Sequence, residues 1–199
     1  MRFRKGSLGL VILVLAITSV VFAEDHDLRF FLGRASSKDG VLSQNEKMEL
    51  LSRIEKVLEA ARRIRGKLTQ GIQSGEIDVR YQEGMFWLSE LERDGVSSEK
   101  SAQQLKVLKD KPSLLVSSIV LYKSLKDLSE NFNAYNNVPS FSAWVGDLAP
   151  EMELWTDPVF YQLYLLPLAG ARDKEADSKP LRPQPAEKEK KPAPKVKKP

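Results

Sequence analysis

Apolar residues recur every three or four positions along most of this chain. Between Ser43 and about Ser74, Leu51, Ile54, Leu58, Ala61, Leu68 and Ile72 follow such steps or their multiples, and Leu50, Val57 and Ile64 widen the stripe. Three apolar positions per heptad make a helix face broad enough for a bundle core. Glu49 with Arg53, and Glu59 with Arg63, stand at i,i+4 in the favourable order on the polar side. Gly71 and Gly75 mark the end of this helix.

The pattern then predicts a helix from Asp78 to Asp94, with Ile77, Tyr81, Gly84, Leu88 and Leu91 as its stripe and Gly95 as its stop. The stretch "SSEKSAQQLKVLKD" reads as a shorter helix, capped by Ser97 or Ser98 and closed before Pro112. Pro112 suits the first turn of the next helix. There Leu114, Ser118, Leu121, Leu125, Leu128, Phe132 and Tyr135 form an unbroken heptad seam, able to pair within the chain or between copies of it. "NFNAYNNVP" reads as a loop, and Ser140 as the cap of a short helix over "SFSAWVGDLA". Asp157 and Pro158 read as the cap and first turn of "PVFYQLYLLPLAG". No alternating strand of useful length and no repeat period stands out. Helix after helix, joined by short turns, predicts an all-α bundle of about four to six helices.

Both ends depart from this pattern. Arg2, Arg4 and Lys5 precede an apolar run from Leu8 to Phe22 that closes on "VFA". A positive start, an apolar core and small residues at Val21 and Ala23 are the marks of a signal peptide cleaved after Ala23. The apolar run is shorter than the ~18 residues of a spanning helix. From about residue 172 the chain turns to Pro and Lys, a composition that buries too little apolar surface to offset the entropy of ordering. The expected organisation is therefore a signal at 1–23, an N-terminal segment and turn at 24–42, a bundle at 43–171 and a disordered basic tail at 172–199. Such a chain is expected outside the cytoplasm, periplasmic or extracellular, in contact with the envelope.

Charge follows the same division. Of 31 basic residues three lie in the signal, which has no acid, so the remainder holds 28 against 27 acids. Ser178 to Pro199 holds eight basic and two acidic residues, which leaves 20 basic and 25 acidic in the body. A basic face for nucleic acid is thus not supported on the body. The absence of cysteine excludes disulfides, thiolate metal sites and lipid attachment through a cysteine.

"ASSKDGVLSQNE", Ala35 to Glu46, is the one stretch that bears on ion chemistry. It resembles the twelve-residue calcium loop of the EF-hand, with an aromatic segment before it and an amphipathic helix after it. The resemblance implies Ser37, Asp39, the Val41 carbonyl, Ser43 and Glu46 as calcium ligands. Ala35 stands where that loop has Asp, and no second loop accompanies it. The same residues also read as a capping box, Ser43 with Glu46, after a Lys-Asp-Gly turn.

No nucleophile motif or phosphate-cradling glycine loop occurs, and no catalytic residue is assigned. His26, the only histidine, sits two residues beyond the predicted new terminus and reads as part of a solvated polar start. Glu90, Glu92, Glu151 and Glu153, near Trp87 and Trp155, supply the carboxylates that a hydrolase would pair. Charged helix faces account for them as well. The aromatic run before the tail offers Trp155, Tyr161 and Tyr164, with Trp144 nearby, either as core or as a partner- or membrane-facing surface. The tail adds Lys188, Lys190, Lys191, Lys195, Lys197 and Lys198, a set suited to anionic lipid or polymer. The sequence thus points to an exported, non-enzymatic interaction or structural protein of the envelope. It takes no cofactor unless the EF-hand-like loop holds calcium. Its expected partners are a protein or anionic envelope component, peripheral membrane or a second copy, and not a specific nucleic acid.

Overall fold

A computed structural model describes residues 26–37 and 40–171. The segment expected to be a signal, the Lys/Pro-rich C-terminal stretch and Asp39 lie outside the described residues. Within them the chain is helical throughout, with no strand: α1 is Leu28–Ala35, α2 Gln44–Ser74, α3 Tyr81–Asp110, α4 Leu115–Asn136, α5 Pro139–Val145 and α6 Leu148–Leu154. A π-helix, Trp155–Leu165, continues α6 without a break. The all-α bundle predicted from periodicity is the architecture found.

Four long walls make the bundle. α2 packs on α3, α3 on α4, α4 on the rod formed by α6 and the π-helix, and that rod back on α2. α5 bridges α4 and α2, while α1 lies against the π-helix. The stripe read along α2 supplies its wall: Leu50, Leu51, Ile54, Leu58, Ala61 and Leu68 are buried. Each large side chain so buried contributes about 1.5–3 kcal/mol. Gly75 ends α2 with φ +76°, the left-handed conformation in which a side chain would be strained.

α3 corrects the sequence reading. The helices expected on either side of Gly95 are one helix, and Gly95 lies in its middle. A Cβ at Gly95 would stand 3.1 Å from Arg65 Nη1, so the glycine makes room for a guanidinium from α2. Ser97 and Ser98 are accordingly interior residues rather than caps. The helix begins at Tyr81, and Tyr81, assigned to its buried stripe, is 83 % exposed. The buried positions of its C-terminal part are Leu91, Asp94, Ser98, Ser101, Leu105 and Leu108. The polar and small residues among them disguised a heptad seam.

α4 keeps its predicted seam from Ser118 to Tyr135, all buried, while Leu114 is the half-exposed N-cap. Pro112 lies in the turn before α4 rather than in its first turn, and its carbonyl accepts a hydrogen bond from Tyr164 Oη at 2.9 Å. Pro139, not Ser140, opens α5. Asp157 and Pro158 start no helix, because both lie inside the continuous rod. Pro158 has no N–H and its ring would crowd the carbonyl one turn back. The helix there widens to five-residue hydrogen bonding, as in Leu166 N–H to Tyr161 O. That widening turns Trp155, Val159, Phe160, Leu163 and Tyr164 inward together.

Candidate functional site

The site begins where α2 hands over to α3. Ile77 folds back so closely that its Cδ1 lies 2.7 Å from where a Gly71 Cβ would stand, and its N–H donates to the Gly71 carbonyl at 3.0 Å. Gly84, one turn into α3, faces Val79 and Ile72 at 3.3 and 3.4 Å by the same measure. This tight turn spends the apolar surface of Ile77 on the core and leaves the next residues outside. Tyr81, Met85 and Phe86 are 83, 55 and 54 % exposed. An exposed cluster of that kind marks a binding surface more often than scattered single residues do.

Beside the cluster a groove follows the α2–α3 seam. Ile72, Val79, Tyr81, Met85 and Leu88 line its apolar end, a concavity of about 400 Å³. A second concavity shares Met85 and Leu88 and adds Arg65 and Glu92. A third shares Arg65 and Glu92 and reaches Gln103. At 1.5 Å per residue the stretch from Tyr81 to Gln103 measures about 33 Å.

Trp87 joins this surface to the interior. Phe86 meets its ring edge-on at a centroid distance of 4.9 Å, while Tyr135 and Phe141 pack against it at 5.7 and 5.5 Å. Its Nε1 donates to Glu83 Oε1 at 3.4 Å. Behind Tyr135 lies Asp94, which accepts from Tyr135 Oη at 2.6 Å and from Asn131 Nδ2 at 2.6 Å. Burial pushes the Asp94 carboxyl up, and outweighs these donors and the nearby Arg65 and Arg93 guanidinium groups. Burial, then the neighbouring Asp94, also raises Tyr135. Arg65 Nε, buried beside this network, has no hydrogen-bond partner.

The EF-hand-like residues are placed differently from a ligand shell. Ser37 Oγ donates to the Arg34 carbonyl at 2.8 Å, and Val41 is exposed. Ser43 and Glu46 form the reciprocal capping box, with Ser43 N–H donating to Glu46 Oε2 at 2.7 Å. Arg34 Nη2 donates to the other oxygen, Glu46 Oε1, at 2.7 Å. Burial pushes the Glu46 carboxyl up, but the Ser43 backbone and hydroxyl and the Arg34 guanidinium outweigh it and hold it at about 2. Asp39 lies outside the described residues.

Of the aromatic surface residues, Trp155 and Tyr164 are core: they are 4 and 1 % exposed, which removes them from any partner or membrane face. The inward turn of the π-helix is the reason. Burial pushes the Tyr164 hydroxyl up to about 12. Tyr161 reaches solvent, tilted against Tyr122 at 5.2 Å, and Trp144 is half-buried. Tyr122 Oη and Lys126 Nζ both donate to Asp157, at 2.8 and 2.6 Å. Burial raises the Asp157 carboxyl, and those two donors more than reverse it to a net lowering.

The four glutamates sit on two helices. Glu90 pairs with Arg93, Glu92 lines the groove, Glu151 accepts from Trp155 Nε1 at 3.3 Å and Glu153 from Asn133 Nδ2 at 3.3 Å. His26 is anchored rather than solvated: its Nδ1 lies 2.6 Å from Glu49 Oε2, its backbone N–H donates to Glu49 Oε1, and its ring is tilted against Phe30 at 3.7 Å. Lys188, Lys190, Lys191, Lys195, Lys197 and Lys198 lie outside the described residues. Among those described, no group of His, Asp and Glu is arranged to hold a metal ion, and no helix is long and apolar enough to cross a membrane.

Periodicity places Tyr81 in the core stripe of this helix with Met85 alongside it, and does not single out Phe86. The legible signal was "YQEGMFW" itself, where apolar residues fall on both sides of Gly84 and a single stripe cannot take them all. No family model, no curated protein and no solved structure matches the chain.

Proposed function

We propose that this protein is an exported, non-enzymatic interaction protein of the cell envelope. Its helical body docks a partner on the Tyr81–Met85–Phe86 face, and its Lys/Pro tail holds it near anionic material. The observation that carries the reading is the exposure of these three apolar side chains on the first turns of α3, with Tyr81 and Met85 at the open end of the α2–α3 groove. Membrane or polymer contact then comes from the tail rather than the aromatic run, whose Trp155 and Tyr164 are buried.

The test places a photo-crosslinking residue at Phe86 in cells and, separately, at Val116, which is 69 % exposed on another wall. A discrete adduct from Phe86 and none from Val116 is the expected outcome. Purified protein is also expected to sediment with anionic vesicles at about 50 mM salt and to be released at about 500 mM, where charge is screened within a few Å. Equal patterns from both crosslinking positions, with vesicle binding indifferent to salt, would sink the reading.

A further inference from the structure

Residues 76–92 carry five acids, Glu76, Asp78, Glu83, Glu90 and Glu92, and one base, Arg80. The same stretch holds the exposed Tyr81, Met85 and Phe86 and the half-buried Trp87. The tail is its chemical complement: from Ser178 to Pro199 it has eight basic residues, two acids and six prolines. We propose that the end of the tail, residues 190–199, docks on this aromatic and acidic face of α3 in its own chain, covering Tyr81, Met85 and Phe86.

Proline-rich chain is pre-set to an extended helix of three residues per turn, and surfaces lined by aromatic rings are its common receptors because little ordering entropy remains to be lost. Phe86 and Trp87, edge to face at 69°, present such a surface. Lysines between the prolines meet ring faces and carboxylates together. Glu83 stays within reach of Trp87 Nε1, while Glu90 already shares Arg93, so Glu76, Asp78, Glu83 and Glu92 are the acids left to receive them.

A second exposed apolar pair, Val116 and Ile119 on α4, makes the choice specific. Residues 109–126 hold four lysines and one aspartate, so that face repels the tail. Reach selects the end of the tail. Tyr164 Oη bonds to the Pro112 carbonyl beyond the C-terminal end of α3, so Ala171 lies at the opposite end of the bundle from Tyr81 and the chain must run back along α3, about 45 Å. The 28 residues after Ala171 span about 85 Å when extended, which brings residues 190–199 to Tyr81, Met85 and Phe86. Tethering also places the tail at an effective concentration on the order of millimolar, so weak pairing suffices to keep the face covered. The tail then competes with any partner for α3, and anionic material that captures the tail uncovers the face. This docking stands or falls separately from export and from the identity of a partner.

The chain lacks cysteine, so Ala193→Cys gives a single attachment point for a spin label without removing a charge. Residues 24–199 contain every buried core side chain described and serve as the protein for amide spectra. The expected result is broadening of amides 80–90 at least threefold stronger than of amides 114–123. It should be unchanged on tenfold dilution and abolished in a Tyr81→Ser, Phe86→Ser variant. Both substituted side chains are exposed, and an unchanged melting temperature confirms that the variant is folded. Broadening that is equal on the two faces, that persists in the variant, or that scales with protein concentration overturns the proposal.

Discussion

The hydroxyl of Tyr135 reaches from α4 to Asp94 on α3 with an oxygen–oxygen distance of 2.6 Å, both residues being 1 % exposed. A buried carboxylate is tolerated there because two donors face it. Tyr135→Phe strips one of them and is expected to cost about 1–3 kcal/mol at neutral pH, read from urea unfolding.

Asp94 also sets a pH dependence. Its carboxyl is raised in the fold, mainly by burial, above an unfolded value of about 3.9. The stability it contributes is complete below that value and is lost as pH rises through the raised folded value. Asp94→Asn should therefore gain on the parent between about pH 3 and 7. A difference that runs the other way removes burial as the governing cause.

Glu46 has the opposite sign. Held at about 2 in the fold, it contributes stability above the unfolded value of about 4.3, and this is lost as pH falls toward 2. Ser43→Ala, which removes the cap on α2, is expected to cost about 1 kcal/mol at pH 7. Melting curves of parent and variant at acid and neutral pH should converge at the acid end.

Both oxygens of Glu46 are engaged, by Arg34 and by Ser43. A calcium ion on this loop must displace a guanidinium to gain a ligand. About 1 mM calcium, the weak end of extracellular sites, is expected to leave the melting temperature as it is in chelator. A rise that Asp39→Ala abolishes would assign a metal to the loop instead.

Two glycines of α2 give a paired test. A Cβ at Gly66 meets nothing within 4 Å, so Gly66→Ala should stabilise by about 0.5–1 kcal/mol through helix propensity alone. At Gly71 the same methyl strikes Ile77, which is 4 % exposed and has nowhere to move. Gly71→Ala is expected to lose about 1–3 kcal/mol despite the same propensity gain. Chemical denaturation of the two variants separates the effects.

What the sequence made legible was periodic and local. The stripe of α2, its Ser43–Glu46 cap, its Gly75 stop and the seam of α4 all follow from spacing and neighbours within a turn. What stayed hidden was decided by distant residues. Gly95 has the chemistry of a stop, and only the arrival of Arg65 from α2 shows why a helix runs through it. Asp157 has the chemistry of a cap, yet Tyr122 and Lys126 from α4 claim its oxygens. His26 looked loose until Glu49 was placed beside it. Tyr81 fits a helical stripe by count, but the turn through Ile77 leaves it outside while Gly84 and Leu91 of the same stripe are buried.

Phe31 on α1 packs against Trp155 at a ring distance of 5.7 Å, although 124 residues separate them in the chain. At a synthesis rate of about 5–20 residues per second, the first helix waits on the order of 10 s for the surface that buries it. Throughout that interval the bundle lacks its fourth wall. The nascent chain therefore stays open until its last helix is made, and the first helix finds its buried place only then.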